Sequence, residues 1–360
     1  MKYSDTLAQT IMHRFPDPDT FPYQSWSYSQ GFMLWGFIRL YEKTGNEAYY
    51  QYVSRYGNEH VDADGQISGF SGVSLDDIMA GSVLVWLYTK TKEEKYRLAC
   101  ERIRRAYDDY PRNSDGGFWH ARFREGEMWV DGLFMGLMFL TRYGKYIGDS
   151  EYCFAETVRQ LAIVLARCEK EDTGLLYHAY CENSTAPWAH PITGQSPEIW
   201  SEGLGWYAMI LAEVLALMPE TVAGYDQVRG QLRKLVESLA IVQDKTSGLW
   251  YQVVDKGTAR RNWHDTSGSA MFVYTIKKSV LLGLIDEKYN QIADMGFAGI
   301  KTKYQLDPEG SANIHDACDG VCVQLDYDAY VDYARNVNSK EAVAAVLWAA
   351  VIMEYGVAND

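Results

Sequence analysis

Two kinds of helical segment alternate along the chain, and the placing of apolar side chains tells them apart. Residues 26–42, 74–90, 128–143, 199–217, 266–284 and 339–355 are apolar nearly all round. Residues 47–60, 93–110, 149–169, 222–243 and 287–302, with 2–14 as a sixth, carry an apolar stripe opposite a charged face. A helix apolar on every side has to be buried, whereas one with a charged face coats the outside. Six buried helices alternating with six coating ones predict an all-α fold, six hairpins closed into a double-layered (α/α)6 toroid. Strand signals are short, at Leu249–Val254 and Phe118–Phe123, and fit β-hairpins at one rim.

Two weak internal repeats follow the same period. An acidic turn followed by Tyr opens four coating helices, ending in Tyr49, Tyr96, Tyr152 and Tyr289. A Gly-plus-aromatic motif precedes three buried ones: Gly117-Phe118-Trp119-His120, Gly174-Leu175-Leu176-Tyr177-His178 and Gly248-Leu249-Trp250-Tyr251-Gln252. No Pro/Gly/Ser-rich linker divides the chain, so residues 1–360 read as one domain.

The unusual polar and aromatic residues gather at the N-terminal ends of the buried helices: Trp26 and Tyr28, Asp76 and Asp77, Trp129 and Asp131, Glu202 and Trp206, and Trp263, His264 and Asp265. In a closed ring of alternating helix direction all these ends lie at one rim, so residues spread along the sequence converge on one cavity. Asp131 is the sharpest of them. Its helical neighbours at i+3, i+4 and i+7 are Phe134, Met135 and Met138, which point its carboxyl at an apolar face. A carboxylic acid there tends to keep its proton, as general acid catalysis requires. The plainer reading is an acid capping a core helix, and Ser74-Leu75-Asp76-Asp77 equally reads as a helix start with Ser74 as cap. Tryptophan and tyrosine around polar groups suit sugar rings, which stack through their C–H faces and hydrogen-bond through their hydroxyls.

Composition narrows the field. A net charge of −14 leaves nothing to neutralise nucleic-acid phosphates. No apolar run approaches the roughly 20 residues of a membrane span, and the N-terminus has no signal-peptide core. The six cysteines are scattered and read as reduced thiols of a cytoplasmic protein, monomeric or homodimeric. Cys318-x3-Cys322 beside His315 lacks a second ligand pair, so no metal is expected. Gly203-Leu204-Gly205 lacks the third glycine of a dinucleotide loop, and Gly268-Ser269-Ala270 has the wrong flanks for a nucleophile elbow.

These motifs resemble the unsaturated rhamnogalacturonyl hydrolases of glycoside hydrolase family 105, relatives of the unsaturated glucuronyl hydrolases. The resemblance runs from about Trp26 to the C-terminus. It is carried by Leu75-Asp76-Asp77-Ile78, Gly116-Gly117-Phe118-Trp119-His120, Met128-Trp129-Val130-Asp131-Gly132-Leu133 and Leu176-Tyr177-His178-Ala179. Pro187-Trp188-Ala189, Ser196-Pro197-Glu198-Ile199-Trp200, Gly205-Trp206-Tyr207, Gly248-Leu249-Trp250-Tyr251-Gln252 and Thr266-Ser267-Gly268-Ser269 add to it. The resemblance implies a six-hairpin toroid and a cofactor-free hydrolysis of the 4,5-unsaturated uronic acid that polysaccharide lyases leave at non-reducing ends. Asp131 aligns with the family's acid/base and Asp76 with a second site acid. His178, Trp206 and Tyr28 align with positions that contact the oligosaccharide, and His120, Trp129, Trp263 and His264 join them at the expected rim.

Two positions depart from the pectin-acting pattern: Glu202 stands where an Arg is usual, and Ala121 where a Lys follows Phe-Trp-His. A carboxylate at 202 would repel a bare uronate, so either another base, such as Arg122, Arg261 or Arg335, supplies the lost cation or the substrate differs. Other enzymes on the same toroid also fit the residues: an inverting glycosidase using Asp76 and Asp131, or a sugar epimerase using His178 and His264. A non-catalytic oligosaccharide-binding protein is the reading from another class.

Overall fold

The computed structural model describes residues 2–358; Met1, Asn359 and Asp360 lie outside the described residues. The helices in chain order are α1 (Tyr3–Arg14), α2 (Tyr28–Thr44), α3 (Glu47–His60), α4 (Asp76–Met79), α5 (Gly81–Thr91), α6 (Glu94–Arg105) and α7 (Val130–Tyr146). They continue with α8 (Ser150–Cys168), α9 (Ser201–Leu217), α10 (Tyr225–Val242), α11 (Thr266–Leu281), α12 (Asn290–Lys303), α13 (Tyr327–Val331) and α14 (Lys340–Tyr355). Among the described residues α2, α5, α7, α9, α11 and α14 pack side by side in a ring that closes where α14 meets α2. Outside it α3 lies on α2, α6 on α5, α8 on α7, α10 on α9, α12 on α11 and α1 on α14. The six-hairpin toroid expected from the alternation is the fold.

The two helix types behave as their side chains require. Along α9 every residue from Ser201 to Leu215 is buried, and along α14 every residue from Glu341 to Ile352. The coating helix α6 buries only Tyr96, Ala99, Cys100 and Ile103, one face at three- and four-residue spacing. Phe32, Phe134, Trp206 and Trp348 meet edge-on or tilted inside the ring, with centroids 4.4–6.2 Å apart.

One buried helix is interrupted. The run expected at 74–90 divides into α4 and α5 at Ala80, because the Ser82 hydroxyl donates to the Met79 carbonyl (2.7 Å). The backbone of α2 presses on this joint at Gly31, where a Cβ would come 2.8 Å from Ala80 Cα. The strand expected at Phe118–Phe123 does not form. Successive amides there turn to different elements: Phe118 to the Gln160 side chain, Trp119 to Pro111, His120 to Glu127 and Arg122 to Val73. A ladder needs one partner strand, and this segment instead ties several loops together.

The second strand signal shortens to β3 (Trp250–Tyr251), paired with β4 (His264–Asp265). The other antiparallel pairs join β1 (Glu127–Trp129) to β2 (Ala179–Cys181), β5 (Tyr304–Leu306) to β6 (Ala312–Ile314) and β7 (Ala317–Cys318) to β8 (Arg335–Asn336).

At the end of the ring away from the helix N-termini, one carboxylate ties four inner helices. Glu213 of α9 is fully buried and accepts from Arg39 of α2 (2.7 Å) and Arg142 of α7 (2.6 Å), and from Lys278 (2.6 Å) and Tyr274 (2.5 Å) of α11. Burial pushes its pKa up, but the three cations outweigh burial and hold it well below the usual Glu range. A depressed carboxyl contributes stability above its unfolded pKa and loses it as pH falls through the folded one. Glu213→Gln strips these cations of that partner and should cost about 3–5 kcal/mol. A denaturant midpoint within error of wild type at pH 7 would show that the ring holds without it.

Candidate active site

Each inner helix brings its first turn to the same rim. Tyr28 and Asp76 are the first residues of α2 and α4; Asp131, Glu202, Ser267 and Glu341 are the second residues of α7, α9, α11 and α14. The first four line a cavity of about 220 Å³, together with His120, Trp129 and Trp206. Six helix N-termini thus point their positive dipole ends at one space.

Asp131 sits at the centre of this arrangement. Its Oδ1 is buried with no hydrogen-bond partner among the described residues, 3.8 Å from His178 Nε2. Burial raises its pKa, to about 6, and the nearby Asp76 carboxylate raises it too. His120 and the amides of Asp131 and Gly132 pull the other way, and burial prevails. Asp76 is also raised, by burial first, against the lowering effects of His120 and the Ser74 hydroxyl.

His120 stands between the two acids. Its Nε2 is 3.7 Å from Asp76 Oδ2, and its ring stacks on Trp129 at 4.3 Å and 17°. The stack needs a glycine beneath it, since a Cβ at Gly132 would come 2.8 Å from His120 Nδ1. Trp129 is fixed in turn by donating to Glu127 (2.9 Å).

His178 is fully buried behind Asp131, between Trp200 and Tyr330, whose hydroxyl is 2.8 Å from Nδ1. Burial, with His120 adding, pushes its pKa down to about 3, so it is neutral at working pH. It backs Asp131 without a hydrogen bond to it and is not among the residues that line the cavity.

Glu202 departs from the sequence reading. It lines the cavity but is fully buried, with Oε2 accepting from Ser267 (2.8 Å) and Oε1 unpartnered among the described residues. Burial, then Glu341 and Asp265, raise its pKa well above the usual range. Burial thus disfavours its charged form, which weakens the repulsion expected between Glu202 and a uronate. Glu341 accepts from Tyr28 (2.7 Å) and Lys340 (2.6 Å) beside it.

Three expected residues lie elsewhere. Arg122 directs its guanidinium away from the cavity, to Asp109 (2.8 Å) and Gly72 (3.2 Å). Trp263 is buried and donates to the Val331 carbonyl (3.1 Å), and His264 pairs with Asp244 (3.0 Å); both line a separate basic cleft. The two-residue strand β4 turns alternate side chains to opposite faces, and only Asp265 faces inward, capping α11 through the Ser267 and Gly268 amides. His178 and His264 therefore do not meet, which removes the epimerase pairing. Cys318 is buried against Gln252 while Cys322 faces the cavity.

Arg124, Trp200, Glu341 and the 320–322 segment belong to the site and were not assigned to it from sequence. Glu341 shares the signal that marked Glu202, an acid in the first turn of a buried helix. Nothing in the spacing distinguishes Arg124 from Arg122.

The profile of glycosyl hydrolase family 88 matches residues 3–355. The chain belongs to glycosyl hydrolase family 88. A family 105 glycoside hydrolase of C. acetobutylicum superposes on it with a TM-score of 0.92 at 30% identity, covering 98% of this chain and 99% of that one. The 24.9 kDa protein in picA locus of Rhizobium radiobacter is 34% identical over 185 residues, 50% of this chain and 78% of that protein. The unsaturated rhamnogalacturonyl hydrolase YesR of Bacillus subtilis is 26% identical over 238 residues, 64% and 65% of the two chains. The family resemblance read from the motifs holds in this family 88 hydrolase. No helix of the described residues is long and apolar enough to cross a membrane.

Burial favours the uncharged form of Glu202, which its isosteric amide reproduces. Glu202→Gln should keep kcat/KM within about threefold of wild type, because the uncharged form and the contact to Ser267 survive. A loss beyond a hundredfold with an unchanged melting temperature would show that the charged form is needed.

Proposed function

We propose that this family 88 hydrolase removes a 4,5-unsaturated uronic acid from the non-reducing end of lyase-generated oligosaccharides, of the pectin or rhamnogalacturonan type. The observation that carries the reading is Asp131: a carboxyl that holds its proton near pH 6, with an unpartnered oxygen in an aromatic-walled cavity. The likeness to family 105 and to YesR supports it.

Protonation at C4 of the vinyl ether by Asp131 forms the C4–H bond as the double-bond electrons leave C5. Water adds to the resulting cation at C5, and its surplus proton passes to a carboxylate, Asp131 or Asp76. The hemiketal so formed opens by breaking the bond from C5 to the ring oxygen. The anomeric carbon is left as an open hemiacetal, which expels the remaining sugar and yields a 4-deoxy-5-keto-uronate. Asp76 raises the proton affinity of Asp131 through like charge, and His120 tempers both. Trp129 and Trp206 offer faces to the sugar rings, and Tyr28 a hydroxyl already oriented by Glu341.

Loss of absorbance at the vinyl-ether band, with a panel of lyase-made disaccharides, reports turnover directly. Asp131→Asn should keep the fold and lose nearly all turnover; substantial kcat in that variant would move the acid elsewhere. The acid acts protonated, so kcat/KM should be flat below about pH 6 and fall tenfold per unit above it. In Asp76→Asn one negative neighbour is gone, the proton leaves Asp131 more readily, and the falling limb should shift to lower pH. An unshifted limb would show that the two carboxyls do not interact.

A further inference from the structure

Accepting a uronate as substrate leaves open what holds its carboxylate in a cavity walled by Asp76, Asp131 and Glu202. We propose that Arg124 holds it, an assignment that rests on the function proposed above. Among the described residues that line the cavity, Arg124 is the only lysine or arginine. Its guanidinium lies over the Trp129 ring, 5.1 Å from the centroid, and Trp129 stacks on His120 beside Asp76. A turn closed by the Arg124 amide on the Ala121 carbonyl (2.9 Å) carries the side chain back to the cavity wall that Ala121 leaves low.

The other candidate cations are committed elsewhere. Arg122 binds Asp109, Arg261 binds Asp328 and Asp332, and Arg335 binds Asp316. Lys340 is held by Glu341 at 2.6 Å. The Arg124 side chain, by contrast, makes no hydrogen bond among the described residues. Its one ion pair among the described residues is loose, Nη1 lying 4.0 Å from Glu127 Oε1, while the other oxygen of Glu127 accepts from Trp129. Its guanidinium, a planar fork of N–H donors at the cavity edge with no hydrogen-bond acceptor among the described residues, can take a carboxylate through two parallel bonds.

The placement suits the chemistry. In the unsaturated uronate the carboxylate is attached to C5, next to the carbon that is protonated, so its anchor has to lie close to the acid. Arg124, Cys322 and Asp131 line one cavity, so cation and acid share its wall. The unused guanidinium would fix the ring so that C4 meets Asp131.

The test compares an unsaturated uronyl disaccharide with its methyl ester, which keeps the vinyl ether and loses the charge. Arg124→Gln should lower kcat/KM for the acid about ten- to a hundredfold and leave the ester within about threefold. Most of that loss should appear in KM, and Arg124→Lys should restore part of it. Arg124 is more than a third exposed, so both variants should fold, which melting temperature checks. Wild-type turnover with an unaffected Arg124→Gln, or an equal loss on acid and ester, overturns the assignment to Arg124 alone. No wild-type turnover of any unsaturated uronyl oligosaccharide overturns the function on which it rests.

Discussion

The parallel direction of the inner helices is the constraint on which the rest depends. Alternating hairpins force every inner helix to start at one rim and to end at the other. Their dipoles add rather than cancel, giving a ring with a positive mouth and a negative floor. The charges sort accordingly. Asp76, Asp131, Glu202 and Glu341 occupy first turns, while Arg142 and Lys278 lie towards the ends of α7 and α11 and bind Glu213. The carboxyl cluster that makes the site and the cation cluster that ties the helices are two answers to one electrostatic requirement.

Burial then separates acids that the sequence presents as equals. Asp77 stays near the surface, accepting from Ser71 and the Val73 amide, and is a loop anchor. Asp265 is buried with both oxygens used, so it caps a helix and ties down Cys318. Asp131, partly buried, and Glu202, fully buried, each have one oxygen without a partner among the described residues, and in both burial raises the pKa. Hydrogen-bond satisfaction, more than residue type, sets the role.

Sequence periodicity carried the architecture because six long segments, each apolar around its whole circumference, leave few ways to be buried. It also located the rim residues, since position within a helix follows from where the apolar run begins. The short elements were less legible. Phe118–Phe123 looks like a strand by composition, yet its amides find different partners, and composition does not encode partners. His264 fell to a neighbouring cleft because alternation in a two-residue strand turns it away from Asp265, and no pattern that short fixes the phase; Trp263, just before the strand, is held there by its bond to Val331. Arg122 and Arg124 lie two apart on one turn, where only the closure from Ala121 decides which faces the cavity.

Glu202 shows why a departure from a family pattern cannot be read by charge alone. An acid in place of a base looks like an inverted subsite when both are taken as ionised. On the second residue of a buried helix, with Glu341 and Asp265 near, burial and like charge disfavour the ionised form of the acid, and its Oε2 meets the Ser267 hydroxyl. Burial raises the pKa of Asp76, Asp131 and Glu202 alike and so works against the negative charge of the cavity. Such a cavity can admit an anion provided a single cation faces it, and the same protons that make it admissible include the one that Asp131 must transfer. Anion binding and proton delivery therefore rest on the same burial. An anion bound beside Asp131 also raises that proton's affinity further, so the substrate itself helps keep the acid in its reactive form.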